Sequence, residues 1–395
     1  MFRYIEGEKI RAGYFGTEHH LRERKINGKE RMGKMVPVSK RGKAKWVLEQ
    51  YYRKMVLKLP QHNNLMKIKA AFLHQLNEKE ESMYLCTVWK LYGENTLNLN
   101  EYLLSRNERL DDQAYKSLMI QLANAVEHLH SNGTAHNALT PFSVLVVEGT
   151  KGQAVVKVGD YGLTQVCGPA ADDDYQPDGQ LPKSLEFHLP PEAYDDGWGH
   201  PGQANTMADI FMLGLIISAM GEHSVLEGKD KNEPAIIAAH VSFPGYGAVP
   251  IGRFIKTNPS MCLDRQIHRK LSPELRSLVR RMTLIDPEAR PPANGVIHML
   301  SACETIRHVG EEQASSSSSS NNHKSTLLRR ASSRKRAAAP AMFNPCASPP
   351  QMPRMCSASV IKPPSPTAGK TSLIRKASIR ASNYLRRSRS VKISN

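Results

Sequence analysis

The sequence is poorest in acid where it is richest in base. Residues 313–395 contain no Asp or Glu but sixteen Lys and Arg, so sixteen of the seventeen net positive charges lie there and residues 1–312 carry +1. Attraction to anionic partners is therefore expected of this tail and not of the remainder. Aromatic residues are scarce in it too. Only Phe343 and Tyr384 offer a face on which a base could stack, which argues against nucleic acid as a partner. Cysteine is sparse throughout. Cys86, Cys167, Cys262, Cys303, Cys346 and Cys356 have neither metal-ligand nor disulfide-framework spacing, which predicts a reducing compartment, cytoplasmic or nuclear. Residues Met1 to Glu6 hold no apolar signal region, so no secretory signal is expected. The longest largely apolar run, Ile210 to Met220, falls well short of the roughly 20 residues of a membrane span and reads as a core helix.

What is present suits a folded body with an appendage. A chain of 395 residues, 40% hydrophobic, has room for a two-lobed domain of about 250–300 residues plus a tail. Residues 1 to about 92 read mostly as strands, with Asn27-Gly28 as a hairpin signal and Met83 to Trp89 as a short apolar strand. Lys45 to Leu59 reads as a helix ended by Pro60. From Asp112 to His130 the spacing of Leu118, Leu122, Val126 and Leu129 predicts an amphipathic helix, with acid at its start. Val155 to Val158 reads as a strand, and Thr206 to Met220 and Pro273 to Thr283 as helices. After residue 308 a serine run and a series of prolines replace large apolar residues. Such a stretch cannot offset its ordering entropy, so residues 309–395 are expected to be disordered.

Five motifs then occur in order. His136-Asn137-Ala138-Leu139-Thr140-Pro141-Phe142-Ser143-Val144-Leu145 resembles the protein kinase catalytic loop H-R-D-L-K-P-x-N-x-L, and Gly159-Asp160-Tyr161-Gly162 resembles the D-F-G turn with its preceding residue. Pro190-Pro191-Glu192 resembles A-P-E, Ala208-Asp209-Ile210-Phe211 the start of the central helix, and Asp286-Pro287-Glu288-Ala289-Arg290-Pro291 the D-P-x-x-R-P turn. The chain thus resembles the eukaryotic protein kinases from about Tyr4 to Leu300. Within them, the segments Asn100 to Arg106, Ala208 to Ile217 and Val249 to Gly252 look like the small serine/threonine kinase family that interacts with PDZ-LIM proteins. The resemblance implies an α+β, two-lobed kinase fold over 1–308, with a β-rich lobe at about 1–92, a helical lobe at 93–308 and the tail beyond. It also implies ATP and Mg²⁺ as cofactors, and signalling or cytoskeletal proteins as partners.

Position by position, the chemistry is depleted. Phosphoryl transfer is mostly positioning and charge neutralisation. The carboxylate that takes the substrate's proton is matched by Ala138, which has no acceptor. The neighbouring lysine is matched by Thr140, the magnesium-binding asparagine by Ser143, and the arginine that receives an activating phosphate by Asn137. Ile10 to Gly16 matches the nucleotide-covering loop with Arg11 at its first glycine, keeping Gly13 and Gly16 as backbone that can approach phosphate. Val36-Pro37-Val38-Ser39 places Ser39 where the phosphate-binding lysine belongs, although Pro37 is odd in a central strand. A shifted register that uses Lys40 or Lys34 stays open. Glu49 is either the helix glutamate or a surface charge, and Asp160 either holds Mg²⁺, with Ser143 as a weaker oxygen ligand, or only orders its turn. Leu185 stands where a threonine meets the catalytic lysine. What is retained is structural: His136, Asp209 and the pair Glu192 and Arg290. The reading is a pseudokinase used as a signalling scaffold or regulator. Its alternative is a weakly active ATP-dependent serine/threonine kinase with rearranged residues. In the tail, Ser332, Ser378, Ser388 and Ser390 each follow basic residues, as sites of basophilic kinases do, and Arg334-Lys335-Arg336 resembles a nuclear import signal. The bland reading of the tail is a solvated, flexible segment with chance matches.

Overall fold

The first lobe begins as a meander of β1 (Tyr4–Gly13), β2 (Gly16–Glu23) and β3 (Glu30–Val38). The turn between β2 and β3 contains Asn27 at φ 60°, a left-handed conformation Asn tolerates better than most residues. With β4 (Ile68–His74) and β5 (Met83–Lys90) the strands form an antiparallel sheet in the order β1-β2-β3-β5-β4. Register places Glu18 of β2 opposite Lys34 of β3, and the pairing of these strands stops at Thr17 and Met35. Pro37 lies beyond that point and pairs only with Tyr84 of β5, so its missing N–H breaks no ladder with β2.

Across β3 and β5 lies α1 (Arg41–Tyr51), which widens into a π-helix over Tyr52–Lys58 before Pro60. It begins four residues before the predicted Lys45, because its polar first turn carries no apolar period. Ala44, Val47, Tyr51 and Met55 recur at helical spacing and are buried.

The second lobe is helical. Short β6 (Thr96–Asn98) leads into α2 (Leu99–Leu104), whose Asn98 and Glu101 form a capping box. In α3 (Asp112–Ser131) the Asp111 carboxylate caps the N-terminus by accepting from the Ala114 N–H. Leu118, Leu122, Val126 and Leu129 are buried, each worth roughly 1.5–3 kcal/mol of transfer free energy. A hairpin of β7 (Val144–Glu148) and β8 (Ala154–Val158) adds to β6. Then come α4 (Lys183–Glu186), α5 (Thr206–Glu222), α6 (Ile251–Thr257), α7 (Pro273–Met282) and α8 (Ala293–Ala302). Apolar on all sides, α5 is buried from Ala208 to Gly221, as such a helix must be. Asp112 at the start of α3 pairs with Arg307 at 2.8 Å and fastens the far end of the lobe.

This computed structural model describes residues 4–13, 15–24, 27–38, 41–75, 83–93, 96–106, 110–149, 153–164, 183–194, 205–228, 235–243, 247–259 and 270–307. All lie in the first of two units, Met1–Asn321 and Asn322–Asn395. Ser39, Lys40, the serines Ser332, Ser378, Ser388 and Ser390, and the basic run Arg334-Lys335-Arg336 lie outside the described residues. The α+β fold, a sheet lobe followed by a helical lobe, is the one expected. Among the described residues no helix is long and apolar enough to cross a membrane.

Two histidines in this interior stay neutral. Burial pushes His188 down to about 4 from an ordinary 6.5, although its Nδ1–H donates to the Ser184 carbonyl at 2.7 Å. Burial also lowers His136, more than Asp209 raises it. Below pH 6.5 the unfolded chain takes up protons that the folded chain refuses, so stability present at pH 7 is lost progressively toward pH 4. Urea unfolding at pH 7 and pH 4.5 checks this: the midpoint is expected to fall at the lower pH, and His188→Gln to lessen the fall.

Candidate functional site

The loop after α3 is built around one carboxylate. Asp209, in the first turn of α5, is 0% exposed. It accepts from the backbone N–H groups of His136 and Asn137, each at 2.7 Å, and meets His130 Nε2 at 2.8 Å. Asn137 sits at φ 57°, a strained conformation that an Asn occupies more cheaply than an Arg. The carbonyl of Gly159 can only accept, so His136 donates to it from Nε2 (2.8 Å) and leaves Nδ1 to accept from the Ala138 N–H (3.3 Å). The loop backbone is thus held from both sides, while residue 138 brings only a methyl group.

Farther along the loop, the Ser143 hydroxyl donates to the Thr140 carbonyl (2.9 Å) and accepts from the Thr140 N–H (3.1 Å). It closes its own turn. Glu192 grips Arg290 through two 2.7 Å bonds, and the guanidinium also donates to the carbonyls of Met207, Leu284 and Ile285. This planar fork over Phe211 ties the segment at Pro191–Tyr194 to the turn before α8. Leu185 is buried.

The sheet lobe supplies the other half. Lys34 is 2% exposed, with Nζ 2.5 Å from both carboxylate oxygens of Asp160 and 3.0 Å from Glu18 Oε1. Glu18 in turn meets Arg11 Nε at 2.6 Å. Cation and anion alternate through Arg11, Glu18, Lys34 and Asp160. Burial alone would lower the Lys34 pKa, but the charges of Asp160 and Glu18 raise it overall. Burial would likewise raise Glu18, and Lys34 and Arg11 together bring it below its ordinary value. Both directions keep the ions charged.

These contacts single out Lys34 in β3, one of the two lysines the sequence left open. The ammonium that meets Asp160 belongs to Lys34, five residues before Ser39. Only β3 residues up to Met35 pair with β2, so Lys34 is the described β3 lysine that lies between two neighbouring strands, while Ser39, expected in this role, lies outside the described residues. Glu49 pairs with Arg53 of the π-helical segment, four residues on, at 2.6 Å, half exposed, a pair worth about 0.3–0.5 kcal/mol. The carboxylate beside Lys34 is Glu18 instead. Sequence reasoning missed it, yet counting strand pairs back from the Asn27 turn sets Glu18 against Lys34.

The turn near Gly13 and Gly16 lies down on its own sheet. These glycines pair across the β1–β2 hairpin. Gly16 has φ 135°, and a Cβ there would stand 1.9 Å from the Met35 carbonyl oxygen, so no other residue fits without moving β3. Phe15 between them is 6% exposed and belongs to the same core cluster as Val36 and Tyr161. Among the described residues, no group of three His, Cys, Asp or Glu could hold a metal ion. Asp160 and Ser143, expected as Mg²⁺ ligands, turn their oxygens to Lys34 and to Thr140 respectively.

The family model for the protein kinase domain matches residues 4–300. Among curated proteins, the chain is 26% identical over 164 residues to the probable cyclin-dependent kinase 8 of Dictyostelium discoideum, covering 42% of each. It is 23% identical over 227 residues to the ovarian-specific serine/threonine-protein kinase Lok of Drosophila melanogaster, covering 57% of this chain and 41% of that one. With the serine/threonine-protein kinase Nek8 of Danio rerio it shares 24% over 306 residues, 75% of this chain and 36% of the relative. The chain thus spans less than half the length of each of these relatives.

Because Arg290 is fully buried, Glu192→Ala would strand its charge. The expected cost is about 3–5 kcal/mol in urea or guanidinium unfolding. A change under about 1 kcal/mol would mean that the three carbonyls satisfy the guanidinium without Glu192.

Proposed function

Since the chain belongs to the protein kinase domain family, we propose that it is a pseudokinase, a kinase-fold scaffold that engages other proteins without transferring phosphate. The observation that carries this is Ala138: the loop around it keeps its brace to Asp209, yet the position that should accept the substrate's proton is a methyl group. The nearest acid of the turn, Asp160, has both oxygens on Lys34.

A magnesium–nucleotide pair fits this donor set poorly. The phosphates would need the Lys34 charge, which Asp160 engages through both oxygens in addition to Glu18. Mg²⁺ would need Asp160 and Ser143, whose oxygens serve Lys34 and Thr140. The second reading, a weakly active serine/threonine kinase, is favoured by one observation: Lys34 and Asp160 stand side by side, so releasing Glu18 would leave a lysine and a carboxylate in place.

Regulation is assigned to the tail. Phosphorylation of Ser332, Ser378, Ser388 or Ser390 by basophilic kinases would add about −1.5 to −2 charge per site to an acid-free segment. The resemblance to the kinases that interact with PDZ-LIM proteins makes cytoskeletal partners the first to test, in cytoplasm or nucleus.

Thermal unfolding with ATP, each with and without Mg²⁺, tests the reading. A site filled at 100 times its dissociation constant would add about 2.7 kcal/mol. The expected result is no shift at millimolar ATP and no phosphate transferred to a generic basic protein substrate. A Mg²⁺-dependent shift, with transfer that Asp160→Ala abolishes, would establish the second reading instead.

A further inference from the structure

A cavity of about 460 Å³ lies on the far side of the Asp160 turn, between the π-helical segment, the chain that follows it, the end of β5 and β8. Its volume is in the range of sites that take small organic ligands. Three core side chains reach the cavity. Met55, Met66 and Tyr161 line it, the last with its hydroxyl donated to the Met66 carbonyl at 2.7 Å and its ring edge-on to Trp89. The wall is the segment where α1 widens, and π-helical turns recur at functional sites.

The rim is cationic. Lys67, Lys90 and Lys157 line the same cavity. Lys67 donates to the Gln61 side chain and Lys157 to the Asn63 carbonyl, both neutral acceptors. The ammonium groups of Lys90 and Lys157 lie 4.9 and 5.4 Å from the centre of one ring, that of Tyr92. Among the described residues none of these three lysines makes an ion pair with a carboxylate. Burial and then the charge of Lys90 lower the Lys157 pKa, and Lys69 beside the rim is lowered by burial and next by Lys67. Three like charges gathered at one hollow are repulsive as they stand. An anion with an apolar body would relieve the charge and fill the hollow at once.

We propose that this cavity binds a small organic phosphate, with its aryl or short acyl body on Met55, Met66 and Tyr161 and its phosphate between Lys67, Lys90 and Lys157. The proposal stands apart from the reading of the cleft as non-catalytic. It does bear on that cleft. Met55 packs against Gly162, where a Cβ would come within 2.5 Å of its sulfur, so an occupant of the cavity presses on the turn that carries Asp160.

Calorimetric titration of the full chain with phenyl phosphate tests it, alongside inorganic phosphate, phenol and the double variant Lys90→Gln/Lys157→Gln. The expected result is saturable binding of phenyl phosphate, at least tenfold tighter than either fragment and weakened at least tenfold in the double variant. Lys90 is exposed, so Lys90→Gln alone supplies the comparison should the double variant not fold, with a loss of at least threefold expected. Equal affinity in variant and parent would place the binding in the basic tail and overturn the proposal. Phenyl phosphate binding no tighter than inorganic phosphate, or not saturating at all, would overturn it too. So would sedimentation with phosphatidylserine vesicles that drops in the variant while phenyl phosphate fails to bind, which would assign these lysines to a membrane surface.

Discussion

A lysine ammonium buried in the sheet lobe imposes the central constraint. Lys34 has no solvent to lean on, and an unpaired charge there would cost several kcal/mol. The chain answers with two carboxylates from distant places: Glu18 from the neighbouring strand and Asp160 from the turn after β8. Arg11 then balances the second negative charge, and the quartet is neutral. Through Asp160, this network joins the sheet lobe to the turn at the edge of the helical one. The four side chains balance one another within the protein itself.

The second lobe is organised on the same principle. Asp209 holds the loop backbone, His136 holds Gly159, and Glu192 with Arg290 holds the segment ahead of α5. Each of these groups serves packing or backbone hydrogen bonding, and a folded protein loses stability if any is cut. Ala138, by contrast, carries no polar side-chain group, and the Ser143 hydroxyl closes only its own turn. A chain under demand to fold, and not to transfer phosphate, would keep and lose residues along this line.

Much of this was legible in the sequence. The long helix at Asp112, the buried helix at Thr206 and the five motifs fixed the fold and the helical half of the site, because helical periodicity and loop motifs are local signals. The sheet half was harder to read. Val36-Pro37-Val38 imitates the family's strand pattern, and only the limit of β2 pairing shows that Lys34 is the central lysine. Glu18 was invisible as a partner because its role depends on cross-strand register, a non-local property that the Asn27 turn sets. The cationic cavity could not be read at all. Its lysines come from β4, β5 and β8 and their flanks, and the sequence showed a body of nearly neutral charge without showing where its charges gather.

The most direct measurement is a double-mutant cycle in guanidinium unfolding on Lys34→Met and Glu18→Gln. If Glu18 serves as the internal counter-ion of Lys34, losing the lysine alone should cost about 3–5 kcal/mol, because Asp160 loses its partner and Glu18 keeps only Arg11. Glu18→Gln should then cost less in the Lys34→Met background than in the parent, with a coupling of at least about 1 kcal/mol. Additivity within about 0.5 kcal/mol would contradict the network, since it would mean that Lys34 and Glu18 are neighbours without being partners.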